Sequence, residues 1–134
     1  MVSPAVDSVA ITTDLDQTLI FSPRATARLG GGLPCSPVEY IDGVVISEIA
    51  QVVSERIDLL PAHAFLIPAT TRTVDQLNRL QLPFGYRYAI AANGGAVLVD
   101  GVPDRSWDAE VQRRVTAVAP LDAAHALLTA RADR

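Results

Sequence analysis

The stretch Val9–Phe21, V-A-I-T-T-D-L-D-Q-T-L-I-F, decides the fold, because an apolar, β-branched run delivers two carboxylates, Asp14 and Asp16, to its end. Residues 8–13 have the continuous apolar character of a strand buried on both faces in a parallel sheet. Desolvating a lone carboxylate is costly, so two acids one residue apart need compensation, and a bound metal cation is the usual one. In an open α/β sheet, chemistry sits at the carboxyl ends of the strands, where this spacing puts both acids. Residues i and i+2 of an extended segment point the same way, so the two carboxylates repel unless one is protonated or a cation lies between them. One can then stay ionised as nucleophile or ligand while the other, turned away in the loop, moves a proton. Asp-x-Asp alone fits a loop of solvated aspartates equally well. The strand before it, with Thr18 and Leu19 after it, favours a functional site.

Working outward, two further apolar runs end in polar turns. Ala64–Ile67 leads into P-A-T-T-R-T, with Thr70, Thr71 and Arg72 at a strand-to-helix junction that suits an oxyanion. Helix capping by one of these threonines is the plain alternative, and Arg72 fits a salt bridge as well as a phosphate contact. Tyr88–Ala92 ends at Asn93-Gly94-Gly95, whose simplest role is a tight turn. Between the first two runs, Val38–Ile46 reads as a hairpin turning at Asp42-Gly43. Ser47 is then the expected N-cap of a helix from Glu48 to about Leu60, with Ile49, Val52, Val53, Ile57 and Leu60 on one face.

The remaining segments are weaker. Residues 1–7 read as a loose leader, Leu19–Leu29 as a weak helical turn, and Gly30-Gly31-Gly32 as a flexible connection. Val74 begins a helix that ends at Leu82-Pro83. Ala96–Val99 with Asp100-Gly101 and Val102 suggests a small hairpin. Two helices, Asp108–Ala119 and Asp122 to about Ala132, flank Pro120. The order predicts an α/β fold, a three-layer Rossmann-like parallel sheet that is incomplete, with a hairpin flap after its first strand.

With 49% hydrophobic and 19% charged residues, the 134-residue chain suits one domain with a real core. A net charge of −4 argues against a general nucleic-acid or anionic-membrane surface. No apolar stretch reaches about 18 residues and no basic-then-apolar leader is present, so a cytoplasmic protein is expected. Cys35 is the single cysteine, which excludes an internal disulfide and a cysteine-based zinc cluster. His63 and His125 lack partners at metal-ligand spacing, and Trp107 and the tyrosines are too scattered for a base-stacking platform.

Taken together, T-D-L-D-Q-T-L-I, P-A-T-T-R-T and A-I-A-A-N-G-G-A-V resemble the first two motifs and the strand before the cap in the haloacid dehalogenase (HAD) superfamily, in the subgroup that includes sugar-phosphate phosphatases. The resemblance spans roughly residues 8–100 and implies an N-terminal core portion at 1–100 and the start of a cap at 101–134. It implies a magnesium-dependent phosphatase acting on a small phosphorylated metabolite, a sugar phosphate, through an aspartyl-phosphate. Asp14 would be the nucleophile, Asp16 the acid and base, and Thr18, Thr70 and Thr71 the phosphate-binding residues. Mg2+ would be held by the Asp14 carboxylate and the Asp16 main-chain carbonyl.

The family also uses a lysine and a later acidic motif. Here all 11 basic residues are arginines, and no Gly-Asp-x-x-x-Asp follows Asn93. The chain is therefore expected to correspond to the N-terminal part of such a protein, with an oligomer or a partner chain completing the sheet. The alternatives are a catalytically inactive remnant that acts as a binding module, and phosphoryl transfer to a second substrate.

Overall fold

The computed structural model describes residues 8–28, 32–118 and 121–132. The leader, the first part of the glycine connection and Pro120 lie outside the described residues. The fold is mixed α/β, with a small parallel sheet and two antiparallel ones.

Strand β1 (Val9–Thr13) pairs in parallel with β5 (Ala64–Pro68), in register from Val9 opposite Ala64 to Thr13 opposite Pro68. The pairing passes to β6 (Tyr88–Ala91) through a parallel bridge between Ala69 and Ile90, where the Thr70 N–H donates to the Ile90 carbonyl at 2.8 Å. The carboxyl ends of β1, β5 and β6 thus lie side by side. From β6 the chain turns into an antiparallel meander with β7 (Ala96–Val99) and β8 (Val102–Pro103). Asp100 (φ 51°) and Gly101 (φ 78°) form its second turn, both in the left-handed region that a two-residue hairpin demands.

A second module follows β1. The chain runs through β2 (Ile20–Phe21) and α1 (Pro23–Arg28) into a hairpin of β3 (Cys35–Ile41) and β4 (Val44–Ala50), with β4 central between β2 and β3. The expected Asp42-Gly43 turn is present, with φ of 50° and 76°. The ladder shifts register on both sides of Glu39. Such a bulge breaks the in-out alternation, and as a result successive residues Val38 and Glu39 are both buried.

Several expectations are corrected. Ser47 caps no helix: it lies in β4, opposite Glu39, and α2 (Gln51–Asp58) begins only after Ala50. The β-branched run V-V-I is recruited by its cross-strand partners before helix propensity can act, so Ile49 pairs with Ile20 of β2 instead of joining a helical face. The next helix, α3 (Val74–Asn78), stops well before Leu82; a capping box between Thr73 and Gln76 starts it. Helix α4 (Arg105–Val118) starts before Asp108, because Asp104 accepts the Trp107 N–H at 2.8 Å and caps it. Helix α5 (Leu121–Ala132) follows as expected. Strand β1 is not buried on both faces: Val9 is 47% exposed, since among the described residues only β5 pairs with it.

The core joins both modules. Leu15, Ile20, Val38, Ile49, Leu77, Ala89, Ala91 and Leu98 are all fully buried, so the loop after β1 is packed between the hairpin, α3 and β6–β7. Burying such a side chain contributes about 1.5–3 kcal/mol, and Leu15 supplies it from between the two aspartates. Among the described residues no helix is long and apolar enough to cross a membrane.

Candidate functional site

Three turns leave the parallel strand ends and bind one another through their backbones. The Ala69 N–H donates to the Thr13 carbonyl (2.8 Å), Ala92 N–H to Arg72 (2.7 Å) and Asn93 N–H to Thr70 (3.2 Å). Ala92, Asn93 and Gly94 are all left-handed, with φ of 51°, 55° and 88°. Only glycine adopts that region freely, and a non-glycine residue held there costs on the order of 1–3 kcal/mol. The inter-turn hydrogen bonds hold Ala92 and Asn93 in this conformation.

The three turns enclose a pocket of about 390 Å³ lined by Asp14, Thr70, Thr71, Asn93 and Gly94, among others. Thr70 is buried, and its Oγ1 accepts the Arg72 N–H at 3.2 Å. Asp14 is exposed; its Oδ1 accepts the Leu15 N–H at 2.8 Å, which orients the carboxylate. No arginine is among the lining residues. The lining thus combines a carboxylate with two threonine hydroxyls and the Asn93 amide.

Asp16 leaves this pocket. Both of its oxygens accept from Arg72, Oδ2 from Nε and Oδ1 from NH2, each at 2.8 Å. The fork geometry matches a carboxylate in two parallel bonds. Arg72 NH1 also donates to Glu39 Oε2 at 2.9 Å, and Glu39 accepts from the Ser47 hydroxyl (2.9 Å) and from Arg79 (3.4 Å). Glu39 is only 2% exposed. Burial pushes its carboxyl up, but the hydrogen bonds from Arg72 and Ser47, the charge of Arg72 and the Arg79 contact outweigh this and hold it below the usual range. Arg72 is driven further toward its charged form, first by its bonds to Asp16, against the opposing effect of burial. The repulsion expected between Asp14 and Asp16 is thus relieved by an arginine beside one of them.

The structure therefore brings Asp14, Thr70 and Thr71 together with Asn93, and sets Asp16 in a second cleft of about 840 Å³. Thr18 stands exposed on the turn after Leu15 and lines neither cavity. Among the described residues no three His, Cys, Asp or Glu side chains converge on a metal position. His63 and His125 are both exposed and away from the site. The residue that sequence reasoning missed is Glu39. Its signal was an acid flanked by Val38 and Tyr40 with Ser47 across the Asp42-Gly43 turn, concealed by assigning Ser47 to a helix cap.

Trp107, in the first turn of α4, donates its indole N–H to the Gly94 carbonyl at 2.9 Å. The helix start is tied to the same turn that walls the pocket. No protein-family model matches the chain, and no curated protein matches it in sequence.

Proposed function

We propose that the pocket at the ends of β1, β5 and β6 is a phosphoryl-transfer site, and that the chain carries the catalytic end of a three-layer, HAD-like phosphatase acting on a small phosphorylated metabolite, a sugar phosphate, in the cytoplasm. The single observation that carries this reading is the pocket that gathers Asp14, Thr70 and Thr71 from separate strand ends.

The exposed Asp14 carboxylate is the nucleophile. Its oxygen bonds to phosphorus as the bond to the leaving alcohol oxygen breaks, and Asp16 gives that oxygen a proton. Water then attacks the aspartyl-phosphate at phosphorus, Asp16 takes its proton, and inorganic phosphate leaves with the Asp14 carboxylate restored. Thr70 holds a non-bridging oxygen through its hydroxyl, its N–H being given to Ile90, and Thr71 holds another through its hydroxyl or backbone N–H. Because both Asp16 oxygens accept from Arg72, the proton relay requires a rotation that frees one of them.

Asp14 and the main-chain carbonyl of Asp16 are hard oxygen donors, a set that fits Mg2+ retaining most of its waters. When bound there, the ion offsets the repulsion between the dianionic phosphate and the carboxylate nucleophile.

The test is magnesium-dependent hydrolysis of an aryl phosphate by the chain and by Asp14→Asn. The expected result is a loss of at least about a thousandfold in the variant. Equal rates for the two proteins would overturn the proposal.

A second reading rests on the half-exposed edge of β1, where Val9 leaves apolar surface beside strand backbone that no described strand pairs. In it the chain is a binding module that accepts a strand from a partner or a second copy. A folded, inactive protein that forms a defined oligomer would favour this reading.

A further inference from the structure

The cleft beside Asp16 is more than twice the size of the Asp14 pocket, at about 840 against 390 Å³. No residue lines both cavities, but their linings are neighbours in the chain: Asp14 and Asp16 flank Leu15, and Arg72 follows Thr71. Asp14 faces one and Asp16 the other; Thr70 and Thr71 line one and Arg72 the other, with the Arg72 N–H bonded to Thr70 Oγ1. The segments that leave the smaller cavity thus run directly into the lining of the larger one.

The lining of the cleft carries three guanidinium groups, Arg24, Arg28 and Arg72, against one carboxylate, Asp16. Arg72 is committed to Asp16 and Glu39. Arg24 and Arg28 are four residues apart on α1, so they share a helix face. Neither forms an ion pair with a described residue within 4.0 Å. Glu48, the acid of β4 nearest α1, accepts from the Thr26 hydroxyl and does not line the cleft. In a chain of net charge −4, two arginines with no acidic partner among the described residues, lining one cavity, are a local reversal of sign. Ser22 and Ser47 add hydroxyls, while Phe21 and Ile46 supply an apolar wall.

We infer that this cleft binds the non-reacting part of the substrate, and that this part carries a second anionic group, a carboxylate or another phosphate, paired with Arg24 and Arg28. The inference rests on the phosphatase proposal and deepens it. Paired guanidiniums recognise carboxylate and phosphate alike by charge-assisted bonds.

The test uses the full chain, with glycerol phosphate, phosphoglycerate and glycerol bisphosphate as probes that differ in the second group. With the wild type, KM is expected to be at least about tenfold lower for phosphoglycerate or for the bisphosphate than for glycerol phosphate. Whichever is preferred identifies the anion. In Arg24→Gln and Arg28→Gln that ratio is expected to fall toward one. Both positions are exposed, so the variants fold. An unchanged ratio in both variants, or equal KM values in the wild type, would overturn the inference.

Calorimetric titration of the same probes into Asp14→Asn separates the two proposals. Discrimination that persists in binding, depends on Arg24 and Arg28, and comes with no hydrolysis by the wild type sinks the phosphatase reading and keeps the cleft. Hydrolysis of glycerol phosphate without any discrimination sinks the cleft alone.

Discussion

Asp14 and Asp16 are two residues apart, yet the structure treats them in opposite ways. Asp14 is exposed, makes one local backbone hydrogen bond and faces a pocket with no arginine in its lining. Asp16 is clamped by Arg72, which is itself fixed by a buried glutamate on a hairpin more than thirty positions upstream of it in the chain. Asp14 has no side-chain partner among the described residues, whereas both oxygens of Asp16 are paired. Leu15, entirely buried between them, separates the two environments. Under the proposed function a nucleophile needs a carboxylate whose charge is not already satisfied, which Asp14 supplies, while Asp16 must be released from Arg72 before it can move a proton.

The sharpest way to break the contrast is to remove Glu39. Glu39→Ala leaves Arg72 short of a partner and deprives Ser47 and Arg79 of theirs, in a buried site. Losing one member of a buried ion pair costs about 3–5 kcal/mol, read as a large fall in the urea midpoint. Asp14→Asn, by contrast, keeps a carbonyl oxygen for the Leu15 N–H and is expected to change stability by no more than about 0.5 kcal/mol. A similar loss for both substitutions would erase the distinction.

Acid sharpens it. The Glu39 carboxyl is lower in the folded protein than in the unfolded chain. Its contribution is therefore complete above the ordinary glutamate value, about 4.3, and is lost as pH falls through the folded value, because the unfolded chain binds the proton first. Urea titrations of wild type and Glu39→Gln are expected to differ most near neutrality and to converge as the pH drops below about 4. A gap that widens in acid would mean that Glu39 is not the charged partner of Arg72.

The smallest effect is expected at α4. Trp107→Phe removes the N–H donated to Gly94 but keeps an aromatic ring, so a loss of about 0.5–1.5 kcal/mol is expected. Binding of phosphate in the pocket should perturb the fluorescence of this single tryptophan. An unaltered spectrum on saturation with phosphate would uncouple α4 from the site.

What was legible in the sequence follows the range of each signal. The Asp42-Gly43 and Asp100-Gly101 turns were readable because left-handed φ angles are a local matter of residue type. The three strand ends were readable because each carries its own apolar run and polar turn. The Glu39 network was not, because it depends on a bulge that turns two successive residues inward and on an arginine distant in sequence. For the same reason Ser47 was misplaced: its partner sits across a hairpin, whereas capping is judged from neighbours. The burial of β1 was overread, since an apolar run reports what a strand is suited to face and not what covers it.

The measurement that meets the central claim most directly is where the phosphoryl group goes. The chain would be mixed with magnesium and an aryl phosphate, quenched in acid, and mapped by mass spectrometry over the segment holding both aspartates. Modification at Asp14 alone, absent in Asp14→Asn, is the result expected of an unpaired nucleophile beside a clamped neighbour. Modification at Asp16, or hydrolysis that proceeds with neither aspartate modified, would contradict the division of labour between them.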